Sequence, residues 1–187
     1  MENWKTIEIG EAIDLKIFSA KWVRRENPKT GNKSNFVILD SKDWVNIIPL
    51  TKDNKIVLVQ QYRHGIDEIT LEIPGGLIDQ GETPLQAAKR ECIEETGFYS
   101  EDNPIFLGKV RPNPAFLTNT CYTYLWKNVE KKFEPKFDQN EEVEIIIKDI
   151  KELYYMIRDG KIHHSIVLNA FLFFFLYTKE FNIWEKL

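Results

Sequence analysis

The sequence predicts an α+β fold in which three helices pack on a mixed β-sheet. Three observations predict it. The runs WVNIIPL (44–50) and KIVLVQQYR (55–63) are almost continuously Ile, Val and Leu, as strands covered on both faces are. A sharply delimited helix at 84–96 separates those strands from further strand-like segments. Finally, 187 residues at 43% apolar content suffice for one substantial core, with at most a small appendage.

The elements follow in order. The first 42 residues read as short strands: IDLKIFSAKWVRR (13–25) and NFVILD (35–40) flank ENPKTGNKS, whose Asn-Pro and Thr-Gly dipeptides punctuate a turn, giving a β-hairpin. A hairpin alone is marginal and must lean on something else. TKDN (51–54) makes a tight turn between the two apolar strands, and ITLEIPGG (69–76) reads as one strand ending in a glycine pair, where backbone can approach a ligand closely. Thr83 is a favourable N-cap, Pro84 suits the first helical position, Gln86 completes a Thr-x-x-Gln capping box, and Gly97 is placed to end the helix. Leu85, Ala88 and Cys92 give its buried stripe, whereas Glu91, Glu94 and Glu95 share a different face that is expected to avoid the core. Strands at 104–110 and 120–129 flank the loop RPNPAFLTN. A strand at 143–149 follows the acidic turn DQNEE, then a short amphipathic helix ends at Gly160, and the apolar stretch at 166–177 forms the last helix.

A net charge of −4 with no clustered Lys/Arg surface argues against a nucleic-acid partner. The stretch at 166–177 is shorter than the roughly 20 residues of a membrane span and contains Asn169, and the N-terminus lacks the build of a signal peptide. Cys92 and Cys121 are too few for a disulfide framework, so a cytoplasmic location is expected. His64, His163 and His164 lack zinc spacing, and the His-His pair reads as surface polar structure.

The informative stretch is RECIEETG (90–97), which crowds three carboxylates behind one arginine although like charges at i,i+4 weaken a helix. A hard divalent cation relieves that crowding, since it wants several oxygen ligands and takes one or two carboxylates together with substrate phosphates. Glu91 and Glu95, one turn apart, are suited to supply them beside a backbone carbonyl at Gly75-Gly76.

The pattern Gly76, Glu82, Arg90-Glu91, Glu94-Glu95, Gly97, Phe98 at its set spacings resembles the Nudix box, with every fixed position met. Cys92 stands where a bulkier aliphatic residue is usual, and a small buried hydrophobe still packs there. DWVNIIPLT, VLVQQYRHG, LEIPGGLID and PNPAFLTN extend the resemblance to the branch of ADP-ribose pyrophosphatases and nucleoside diphosphate sugar hydrolases. Pro114 matches a proline that marks the ADP-ribose subgroup, but Ala115 follows it where that subgroup has glycine.

The resemblance implies a Nudix-type α/β/α sandwich over 43–187, with residues 1–42 as an N-terminal β subdomain exchanged between the protomers of a homodimer. It implies Mg²⁺, with Mn²⁺ as a substitute, and the reaction NDP-X + H₂O → NMP + X-phosphate. In that scheme Glu91 and Glu95 are metal ligands, Glu94 a further ligand or water-holder, and the Gly75 carbonyl another oxygen. Arg90 and Glu82 form a supporting ion pair beside Gly76, and Glu141, favoured over Glu142, is the general base. Arg63 contacts the substrate phosphate, Trp22 and Phe36 resemble an aromatic pair that stacks on adenine, and Pro114 belongs to the substrate loop. Two alternatives stand beside this reading: a nucleoside triphosphate sanitising pyrophosphatase on the same box, and a non-catalytic ADP-ribose sensor.

Overall fold

The structure is a computed structural model that describes residues 1–137 and 142–179. It divides into two compact units, one of residues 1–43 with 111–120, the other of 44–110 with the chain from 121 onward.

In the first unit, strands β1 (Lys5–Ile9), β2 (Ile13–Asp14), β3 (Phe18–Glu26) and β4 (Lys33–Ser41) form an antiparallel sheet. β4 lies on one edge of β3, while β1 and β2 share the other. The hairpin turn is fixed by Asn27, whose Oδ1 accepts from Lys29 N–H at 2.9 Å, and by Gly31 at φ 73°. The continuous strand expected over 13–25 is broken at Lys16. Asp14 Oδ1 accepts from its N–H at 2.8 Å and turns the backbone to φ 69°, so β2 and β3 are separate. Segment 111–120 joins this unit through backbone bonds: Leu39 N–H donates to Phe116 O at 2.8 Å, and Thr118 N–H to Leu39 O at 3.2 Å.

The second unit is built on a seven-stranded mixed sheet. Its path is β10 (Ile105–Val110), β11 (Cys121–Lys127), β5 (Trp44–Leu50), β6 (Lys55–Arg63) and β13 (Val143–Asp149). The β11–β5 pair is parallel and the others antiparallel. ITLEIPGG is two strands rather than one: β7 (Glu68–Glu72) pairs with β6, and β8 (Gly75–Leu77) pairs with β5. Pro74 has no N–H to carry a ladder, but its carbonyl accepts from Ile47 N–H at 2.9 Å, so the chain changes partner there.

Helix α1 (Pro84–Thr96) packs on one face of this sheet. Ala87, Ala88 and Cys92 meet Val45, Ile47, Val57, Tyr124 and Trp126. On the other face, α2 (Leu153–Arg158) and α3 (Ser165–Thr178) pack Leu153, Met156, Phe171 and Phe174 against Ile48, Leu58 and Leu125. Alternation along β5, with Ile47 toward α1 and Ile48 toward α3, is what lets one strand serve both cores. The outcome is an α/β/α sandwich. A two-stranded ribbon, β9 (Phe98–Tyr99) with β12 (Glu130–Lys131), follows α1. Among the described residues, no helix is long and apolar enough to cross a membrane.

Candidate active site

α1 owes its limits to local chemistry. Thr83 accepts from Gln86 N–H, the Gln86 side chain caps Thr83 in return, and Gly97 closes the helix in the left-handed region at φ 72°. Those caps fix the phase at which the acidic face meets β8. A Cβ on Gly76 would collide with the Glu91 carboxylate, and one on Gly75 would run into the Val45 carbonyl. The glycine pair is therefore what lets helix and strand approach.

Arg90 organises the acidic row. Its Nε and Nη2 donate to the two oxygens of Glu82 at 2.8 and 2.9 Å, and Nη1 donates to Glu91 at 2.8 Å and to Glu94 at 3.0 Å. Nη2 also donates to Leu77 O at 3.0 Å, which ties the arginine to β8. The Arg90 guanidinium holds the Glu82 carboxyl below its ordinary pKa. Glu95 departs from the expected exposed face, because its residue is only 6% exposed and lies among the buried residues of α1.

The donor chemistry suits a hard divalent cation: carboxylates and a nearby strand carbonyl, all oxygen, pressed against a glycine pair. Among the described residues, no three carboxylate, imidazole or thiolate groups converge tightly enough to enclose an ion. Glu91 and Glu94 are instead turned onto Arg90.

A second polar cluster surrounds Glu72 on β7, which is 2% exposed. Arg63 grips it with two bonds of 2.7 Å, Thr70 Oγ1 donates to it at 2.6 Å, and His164 Nδ1 lies 2.9 Å from Oε2. Burial alone would raise the Glu72 pKa, but Arg63, His164 and Thr70 overcome it and hold the carboxyl well below its usual range. Sequence reasoning missed this cluster and took His164 for surface structure. Its signal was Thr70 and Glu72 at alternate positions of an otherwise apolar stretch, ITLEIP. Arg63 also lines a cleft of about 710 Å³, shared with Tyr62, His64, Glu142 and Glu144 and large enough for a small-molecule ligand.

Glu141 lies outside the described residues. Trp22 is exposed on β3, and Phe36 on β4 packs edge-on to Trp4 with centroids 5.6 Å apart. Trp22 opposes Val37 and Val23 opposes Phe36, so the two aromatics point to opposite faces of their sheet and one chain does not bring them together on one base. Pro114 sits exposed in a turn where Asn113 O accepts from Leu117 N–H at 2.8 Å. Cys92 and Cys121 are buried thiols, and burial pushes Cys92 up to about 12, out of range for nucleophilic work.

The fold is thus a mixed-sheet sandwich carrying an arginine-braced carboxylate helix against a glycine pair. The chain belongs to the Nudix family: the NUDIX domain model matches residues 41–169. Nudix hydrolases act on pyrophosphate bonds and in general need a divalent metal. The chain is 31% identical over 162 residues to the methanol dehydrogenase activator of Bacillus methanolicus, covering 86% of each. It is 24% identical over 181 residues to the ADP-ribose pyrophosphatase of Bacillus subtilis, covering 94% of this chain and 96% of that one. Its fold matches a crystal structure of an ADP compounds hydrolase with a TM-score of 0.86 at 20% identity, covering 97% of both chains.

Proposed function

We propose that this protein hydrolyses the pyrophosphate bond of ADP-ribose or a related nucleoside diphosphate sugar, giving a nucleoside monophosphate and a sugar phosphate. The observation that carries the reading is the Arg90-braced glutamate row of α1 set against Gly75-Gly76. Relatives named ADP-ribose pyrophosphatase in Bacillus subtilis and ADP-sugar pyrophosphatase in Mus musculus support the substrate class.

Glu91, Glu95, Glu94 and the Gly75 carbonyl would hold Mg²⁺, which when bound neutralises phosphate charge and acidifies a water. Arg90, anchored by Glu82 and the Leu77 carbonyl, sets where Glu91 and Glu94 point. Glu141 accepts the proton of the attacking water. Arg63, gripped through Nε and Nη2 by Glu72 at the cleft, binds a substrate phosphate as a fixed positive charge. The N-terminal unit exposes Ile7, Ile9, Ile13, Leu15, Ile17 and Trp22, and it forms the contact of a homodimer.

The test is a product assay of the full chain with Mg²⁺ on ADP-ribose, GDP-mannose, ADP-glucose and dGTP. Release of AMP from ADP-ribose is expected, and Glu95→Gln lowers turnover by about a hundredfold or more while keeping its melting temperature. Pyrophosphate release from dGTP alone would replace this reading with a triphosphate sanitiser. Binding of ADP-ribose without cleavage would replace it with a sensor.

A further inference from the structure

We propose that His164 is a positioning residue for substrate binding: by holding Glu72 it fixes the Arg63 guanidinium at the rim of the cleft. The inference rests on the reading of Arg63 as a phosphate contact.

The first ground is the coordination of Glu72. Its Oε1 accepts from Arg63 Nε at 2.7 Å and Thr70 Oγ1 at 2.6 Å, and its Oε2 from Arg63 Nη2 at 2.7 Å. His164 Nδ1, 2.9 Å from Oε2, is the contact that comes from outside the β6–β7 hairpin. Arg63 and Thr70 hold the carboxylate from within its own hairpin. His164 ties it to the start of α3, which is packed into the core through Val167, Ala170 and Phe171. The orientation of an arginine that is 41% exposed is thereby referred to the rigid interior rather than to a strand end.

The second ground is independent. His164 occupies the N-cap of α3, where Ser, Thr, Asp or Asn would satisfy a helix N–H, and it makes no side-chain capping bond. A residue poorly suited to its local position, with its ring committed across to a buried carboxylate, points to a role away from the helix it begins. Its neighbour His163 does not share that role: its Nδ1 is 3.2 Å from Gly160 O and its Nε2 is 4.0 Å from Glu68.

The experiment measures KM and kcat for ADP-ribose with Mg²⁺ in His164→Ala, His164→Asn and Arg63→Ala, with thermal melts of each. His164→Ala is expected to raise KM about tenfold through loss of the close contact between Nδ1 and the buried carboxylate, with kcat within about twofold. His164→Asn, whose amide nitrogen replaces Nδ1, is expected to restore KM to within about threefold of the wild type. If His164→Ala does not fold, His164→Leu, which keeps bulk but carries no ring nitrogen, is read in its place with the same expected rise in KM. An unchanged KM in His164→Ala, or an Asn variant as impaired as the Ala one, overturns the inference provided Arg63→Ala raises KM. An unchanged KM in Arg63→Ala overturns the reading of Arg63 itself.

Discussion

At the scale of single residues, the molecule separates charges that spacing alone treats alike. Arg90 and Arg63 each grip a carboxylate with two parallel bonds, but Glu82 is only partly buried in a loop whereas Glu72 is inside the protein. The consequence is a specific pH dependence. The Glu72 pKa is depressed in the folded state, so its contribution to stability is complete above the unfolded value of about 4.3 and is lost as pH falls below it toward the folded value. Melting temperatures of the wild type and Glu72→Gln, followed from pH 7 to pH 3.5, should differ most at neutral pH and converge below about pH 4.3. A gap independent of pH would show that the folded carboxyl titrates no differently from the unfolded one. The row Glu91, Glu94, Glu95 was visible in the sequence because helical spacing is local and periodic. The Glu72 cluster was not, because His164 meets Glu72 only through the packing of α3 on the sheet.

At the scale of elements, the helix–strand contact at α1 and β8 shows why two adjacent glycines fail differently. A Cβ on Gly76 meets the far end of Glu91, a side chain able to swing aside, whereas a Cβ on Gly75 meets the Val45 backbone carbonyl, which cannot yield without moving β5. Gly76→Ala should therefore cost under about 1 kcal/mol of stability but lower kcat by about 10- to 100-fold through a displaced Glu91. Gly75→Ala should cost about 1–3 kcal/mol through overpacking. Chemical denaturation and steady-state assay of both variants check this, and the opposite ordering in stability would refute it. The bounds of α1 were legible because caps are written within four residues of each end. The break of ITLEIPGG was written in Pro74, yet its cause, a change of pairing from β6 to β5, depends on a strand some thirty positions earlier.

At the scale of the whole molecule, the two-sided core was readable from apolar runs, since only strands covered on both faces can be so uniformly aliphatic. The recruitment of residues 111–120 to the N-terminal unit was not, because the pairing of Leu39 with Leu117 is long-range and leaves no periodic trace. That unit also bears on assembly. It leaves Ile9, Ile13, Ile17 and Trp22 each more than half accessible, Ile13 and Trp22 on one face of its sheet and Ile9 on the other, apolar surface that supports the proposed homodimer. A stable interface needs about 1,200–2,000 Å² buried in total, with its centre apolar and its rim polar. Arg24, Arg25 and Glu26 on the same hairpin supply charged groups for such a rim. Light scattering at micromolar concentration should accordingly return twice the 22.1 kDa of one chain. The double substitution Ile9→Asp with Ile17→Asp should return a single chain, because carboxylates facing one another across an apolar contact lose hydration without a partner. A wild-type mass of one chain under those conditions would leave the exposed aliphatic surface unexplained and sink the dimer.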